Sequence, residues 1–128
     1  MRWWIALVIG LSTMPQATQI QGLETATQMQ SWCASFEETK VDASQPLVLQ
    51  TPQAELCWGA FASIQELSSL VDQDGKSLLE TCPSPSSTRT EYIRIFLHYT
   101  ARHPEEGEMD FAGVARRALA ETFPCPSN

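Results

Sequence analysis

Four cysteines in a chain of 128 residues restrict the fold more than any other feature, because Cys33, Cys57, Cys82 and Cys125 all follow an N-terminal segment that reads as an export signal. That segment begins Met1-Arg2, runs through apolar residues from Trp3 to Leu11 and passes into Ser12-Thr13-Met14-Pro15-Gln16-Ala17. Residues 1–22 are therefore expected to be a signal peptide, with cleavage near residues 17 to 22. An uncleaved anchor is the competing reading, but no second apolar run follows and the stretch is short for a permanent span. Removing the segment leaves roughly 105 residues, enough for one hydrophobic core, so residues 23–128 are expected to form a single domain. The expected location is outside the cytoplasm, most naturally the periplasm, where four thiols form two disulfides by default. None of the cysteines sits in a Cys-x-x-Cys pair, and His98 and His103 do not complete a zinc-binding spacing with them.

The charge narrows the partners. Fifteen acidic and eight basic side chains give a formal net charge of −7. Nucleic acid and anionic lipid would repel such a domain, so neither is an expected partner, and no membrane association is expected of the mature form. Solubility alone accounts for the acidity, and a basic protein surface is the functional alternative.

Helical periodicity dominates the rest of the chain. Leu23, Ala26, Met29/Gln30, Cys33 and Phe36 recur at helical spacing, which predicts a first helix from Leu23 to about Phe36. Residues 37–50 show no steady period and read as a connecting loop, with a short extended piece at Leu47-Val48-Leu49. Thr51 followed by Pro52 is a helix start, since the threonine hydroxyl accepts from free backbone amides and proline has none to leave unpaired. Cys57, Ala60/Phe61, Ile64, Leu67/Ser68 and Val71 then form one apolar stripe, and Asp72-Gln73-Asp74-Gly75 closes the second helix, with a further short turn at Leu78-Leu79. Cys82-Pro83-Ser84-Pro85-Ser86-Ser87 is a stiff connector. Thr88 and Glu91 form a capping box for a third helix bearing Tyr92, Ile93, Phe96, Leu97 and Thr100, stopped by His103-Pro104. Phe111, Val114, Ala115, Ala118, Leu119, Thr122 and Phe123 mark a fourth helix, which Pro124 ends; Arg116 and Arg117 fall off its stripe. No strand-period run appears, so the expected class is all-α, a small disulfide-stapled bundle of four helices with room for an extra short one.

Four cysteines permit three pairings. An antiparallel first pair of helices places Cys33, late in one, beside Cys57, early in the next. Cys82 just before the third helix and Cys125 just after the fourth meet for the same reason. Each closure removes roughly 3 to 4 kcal/mol of denatured-state freedom, a large share of the stability of so small a domain.

No constellation supports chemistry. Asp72-Gln73-Asp74-Gly75-Lys76 glances at a calcium loop, but Leu70 stands where the opening carboxylate belongs and Thr81 where the bidentate glutamate belongs. His98 and His103, five apart on one helix, point about 140° away from each other and cannot share a metal. The serines lie in the Pro/Ser connector without a nucleophile turn, and Glu37-Glu38 and Glu105-Glu106 adjoin loops. No catalytic residue, cofactor or metal is expected, and a hydrolase would have to assemble its site in three dimensions.

Cys57-Trp58-Gly59-Ala60-Phe61, Cys82-Pro83, His103-Pro104-Glu105 and the terminal Ala118-Leu119-Ala120-Glu121-Thr122-Phe123-Pro124-Cys125, taken in that order, resemble the Rap/Tai family, the immunity proteins of type VI secretion amidase effectors. The resemblance spans about Cys33 to Cys125, with departures at Gly107, Glu108 and Phe111. It implies a small helical periplasmic protein, often a homodimer, that binds a peptidoglycan-cutting amidase and blocks its cleft. The expected partner-binding surface is the acidic hinge Glu105, Glu106, Glu108 and Asp110 between the last two helices, against which stands the reading of an ordinary solvated turn. A second function class is a periplasmic chaperone that binds unfolded clients through apolar surface exposed at low pH.

Overall fold

Capping chemistry sets where the helices begin. In the computed structural model, which describes residues 24–38 and 51–127, Thr25 accepts from the Gln28 amide and opens α1 (Ala26–Cys33). One residue, Ala34, which keeps helical backbone angles but bonds out of the helical register, separates it from the short α2 (Ser35–Glu38). The one continuous first helix expected from the periodicity is thus two pieces. The Ala34 amide bonds to Ser31 three residues back and the Glu37 amide to Ala34, so the ladder tightens just past Cys33, where the chain is tied to another helix. Leu23, the signal segment and the Leu47-Val48-Leu49 piece lie outside the described residues.

Thr51 caps α3 (Pro52–Ser68) by accepting from the Ala54 amide at 3.0 Å, with Pro52 at its first position. The helix stops short of the Val71 expected from the stripe. Ser68 and Ser69 turn their hydroxyls back onto the carbonyls of Gln65 and Glu66, offering the backbone a competing partner just where the ladder ends. Of the Leu67/Ser68 pair in the expected stripe it is Ser68 that is buried, while Leu67 faces outward from the last turn and Val71, beyond the helix, is exposed instead of joining the core. Beyond them Asp72 organises a tight turn: its Oδ1 accepts from the amides of Asp74 and Lys76, and Gly75 supplies the left-handed residue at φ 79°. The Asp72 carboxylate is engaged by backbone donors of its own turn.

Thr88 and Glu91 make both halves of the capping box that opens α4 (Arg89–Arg102). A 3-10 turn over Pro104–Glu106 follows, and Asp110 caps α5 (Phe111–Thr122). Among the described residues the protein is all-α: five helices and this one turn, with no strand. Helix α4 touches each of the other four. Phe61 of α3, Phe96 of α4 and Phe111 of α5 form a trio whose ring centroids lie 5.4 to 5.5 Å apart, in tilted or edge-on contact. Such aromatic contacts contribute about 1 kcal/mol each beyond simple burial. Ala26, Met29 and Cys33 of α1, Ile93 and Leu97 of α4 and Val114, Ala115, Ala118 and Leu119 of α5 complete the interior.

Two disulfides staple this bundle. Cys33–Cys57 joins the end of α1 to α3 across a Cα distance of 5.3 Å, with both residues fully buried. Cys82–Cys125 joins the connector before α4 to the tail after α5, where the Cys82 amide also donates to the Phe123 carbonyl at 2.9 Å.

Candidate functional site

The hinge between α4 and α5 is built from one stop, one capped start and one borrowed helix end. His103 leaves helical angles before Pro104, and the chain turns through the 3-10 segment to Gly107. Asp110 accepts from the Gly113 amide at 2.8 Å and starts α5. The N-terminus of α1 docks against this turn. Its orphan amides on Ala26 and Thr27 donate to the carbonyls of Met109 and Gly107, each at 2.9 Å, while the Phe111 amide donates to Glu24 at 2.8 Å. Every early amide of α1 is thereby satisfied, and the hinge backbone is fixed to a second element. Gly107 permits this close approach, since a Cβ there would collide with Thr27 Oγ1 unless that side chain moved.

The four hinge carboxylates differ in what they do. Glu106 is largely buried, and its Oε1 accepts from Arg117 Nε at 2.6 Å. Its other oxygen is buried without a hydrogen bond and lies 3.9 Å from His103 Nδ1. Tyr99, stacked on the His103 ring, faces the same carboxylate. Burial first, then the hydrogen bond and charge of Glu106, hold the Tyr99 phenol above its ordinary pKa. Burial pulls the Arg117 guanidinium down, but the Tyr99 and Glu106 hydrogen bonds and charges outweigh it, so Arg117 is held above its usual value. Asp110 is engaged as a helix cap. Glu105 is exposed and sits 3.1 Å from His103 Nδ1; its own backbone amide, then His103, hold its carboxyl below the ordinary range. Glu108 is exposed and has no ion-pair partner among the described residues. Glu105, beside His103, and Glu108 therefore present their carboxylates to solvent, with the exposed Met109 beside them, while Glu106 and Asp110 hold the turn together.

His103, Glu105 and Glu106 bring ligand atoms within 4.8 Å of one another, the nearest approach to a metal-ligand set among the described residues. Arg117 already engages the Glu106 carboxylate, so a cation there would meet a competing positive charge. His98, on the same helix as His103, is exposed and takes no part in the cluster.

Sequence reading did not find Arg117, Tyr99, Gly107 or Thr27. Arg117 lies off the apolar stripe, which gave a weak signal that it serves something other than the core. Nothing in the sequence ties Thr27 to a glycine eighty residues away.

The family model described as Rap1a immunity proteins matches residues 25–125. Comparison with curated proteins and with solved structures gave no match. The matched span starts at the cap of α1 and ends at the second cysteine of the outer disulfide, so it takes in every helix, both disulfides and the docked hinge: the chain belongs to the Rap1a immunity protein family.

Proposed function

We propose that this protein is exported, loses residues 1–22 and works as a single domain that binds a peptidoglycan-cutting amidase delivered by type VI secretion, covering its active cleft with the hinge. Membership of an immunity family makes a protein effector the partner. Two disulfides fit an oxidising compartment. The observation that carries the choice of surface is the docking of α1 onto the hinge, which makes Glu105, Glu108 and Met109 a rigid edge instead of a mobile loop. A preorganised edge loses little ordering entropy on binding. Its acidity suits a cleft mouth lined by basic groups. The hinge acts by occupying space, and no group of this chain needs to react.

The test is to mix the mature protein with peptidoglycan amidases delivered by type VI secretion and to follow complex formation and cell-wall cleavage together. A stoichiometric complex with loss of cleavage is expected. Free amidase of undiminished activity would remove the proposal.

One observation favours a second reading, capture of unfolded clients. Leu67, Leu70, Val71 and Leu78 are exposed around the end of α3, where the Leu78 amide bonds to the Leu70 carbonyl and gathers three of them into one patch. An apolar dye titrated from neutral to acidic pH separates the readings: client capture requires dye binding that grows as the protein opens, and an immunity protein gives none before it unfolds.

A further inference from the structure

The two disulfides differ in how they can be reached. Cys33 and Cys57 are 0% exposed, closed in the core. Cys82 is exposed and Cys125 half-buried, and both line a surface cleft of about 520 Å³ whose wall includes Lys76 and Glu80. Thiol–disulfide exchange needs a thiolate to reach a sulfur along the bond axis, so access selects between otherwise similar bridges.

We propose that Cys82–Cys125 is a thiol–disulfide exchange site, opened by a dithiol that enters this cleft, while Cys33–Cys57 stays closed. A thiolate of the dithiol attacks Sγ of Cys82, the more exposed of the pair. The S–S bond breaks and its electron pair leaves on Cys125 Sγ. The second thiolate of the dithiol then attacks its own sulfur in the mixed disulfide and releases Cys82. The dithiol is oxidised to a disulfide, the protein gains two thiols, and the two protons of the dithiol end on Cys82 and Cys125.

The surroundings favour this step. Lys76 lines the cleft, and the positive charge it brings to that wall favours both the incoming and the departing thiolate. The one negative side chain on that wall, Glu80, is paired with Arg116 at 2.9 Å, which offsets its repulsion. Glu80 also stands at φ 56°, a left-handed conformation unfavourable for a side chain, two residues before Cys82. Opening the bridge frees the turn to leave that conformation. The docked hinge lies at the far end of α5, about 18 Å away for a helix of this length.

The native protein is incubated with dithiothreitol, quenched at intervals with a maleimide and mapped by peptide mass spectrometry. Labelling of Cys82 and Cys125 at least about tenfold faster than Cys33 and Cys57 is expected. Equal rates, or earlier labelling of Cys33 and Cys57, would overturn the proposal. Lys76→Glu tests the route, because Lys76 joins its turn through its backbone amide and carbonyl and its side chain is free to change. The variant should slow labelling of Cys82 and Cys125 severalfold and leave the buried pair unaltered; an unchanged rate would overturn the cleft as the path of attack.

Discussion

Thr27 Oγ1 occupies the space where a Cβ on residue 107 would stand, so α1 and the hinge approach each other as closely as glycine allows. Gly107→Ala should destabilise the fold by about 1 kcal/mol, since the added carbon meets the Thr27 hydroxyl and, at 3.2 Å from the Pro104 carbonyl oxygen, has no room to retreat, so Thr27 must leave its place in the docked corner. Thr27→Ala in the same chain should return most of that loss. Urea unfolding of the two single variants and the double variant measures the coupling, and strict additivity would show that the contact is not the cause.

Arg117→Ala leaves the Glu106 carboxylate largely buried and unpaired, and should cost about 2 kcal/mol. Glu106→Gln added to it removes the stranded charge and should recover part of the loss. If the single variant unfolds at the wild-type urea midpoint, the pair contributes nothing.

Removing either disulfide tests which of two effects is larger. Chain entropy alone makes the bridge whose cysteines are 43 positions apart in sequence worth only about 0.5 kcal/mol more than the one whose cysteines are 24 apart. Replacing Cys33 and Cys57 by alanine also empties core volume, a loss of roughly 1 to 2 kcal/mol that the outer pair does not incur. The Cys33→Ala/Cys57→Ala protein should therefore be the less stable of the two double variants. The reverse order of thermal midpoints would mean that the core closes over the lost sulfurs.

Tyr99 gives the alkaline limb a sign. Its phenol holds its proton in the fold above the ordinary value of 10.0, because burial and then Glu106 disfavour the anion. The stability from this shift is complete below pH 10.0 and is lost as the unfolded chain ionises and the pH climbs through the raised folded value. Absorbance titration should show a late phenol that Tyr99→Phe removes, and the variant should flatten the fall in stability above pH 10.0. A late phenol that persists in Tyr99→Phe would refute the assignment.

Charge reversal separates the two kinds of hinge carboxylate. Glu105→Lys/Glu108→Lys should leave stability within about 0.5 kcal/mol of wild type and weaken effector binding at least about tenfold. Asp110→Ala should do the opposite, losing about 1 kcal/mol from the missing cap while its direct effect on binding stays small. Calorimetric titration and urea unfolding on the same preparations decide it.

Much of the fold is written locally. Thr51-Pro52, the Thr88/Glu91 box and Pro124 each act within one helical turn, so helix starts and stops could be read directly. The break at Ala34 could not, because the residues on both sides keep helical spacing and only the tertiary tie at Cys33 interrupts the ladder. Nor could the early end of α3, where Val71 continues the apolar period but serine back-bonding and the Asp72 turn prevail. At the hinge, four carboxylates look alike in sequence. Their division into inward and outward groups depends on Arg117, eleven residues beyond Glu106, and on Gly113, which fixes Asp110.

Glu24, Ala26 and Thr27 are bonded to Phe111, Met109 and Gly107, so the earliest described residues are completed by residues at least eighty positions further along the chain. A chain emerging in order cannot assemble this corner until Phe111 has appeared. The outward edge is therefore a property of the two segments together, and a fragment lacking either would carry its residues without its shape.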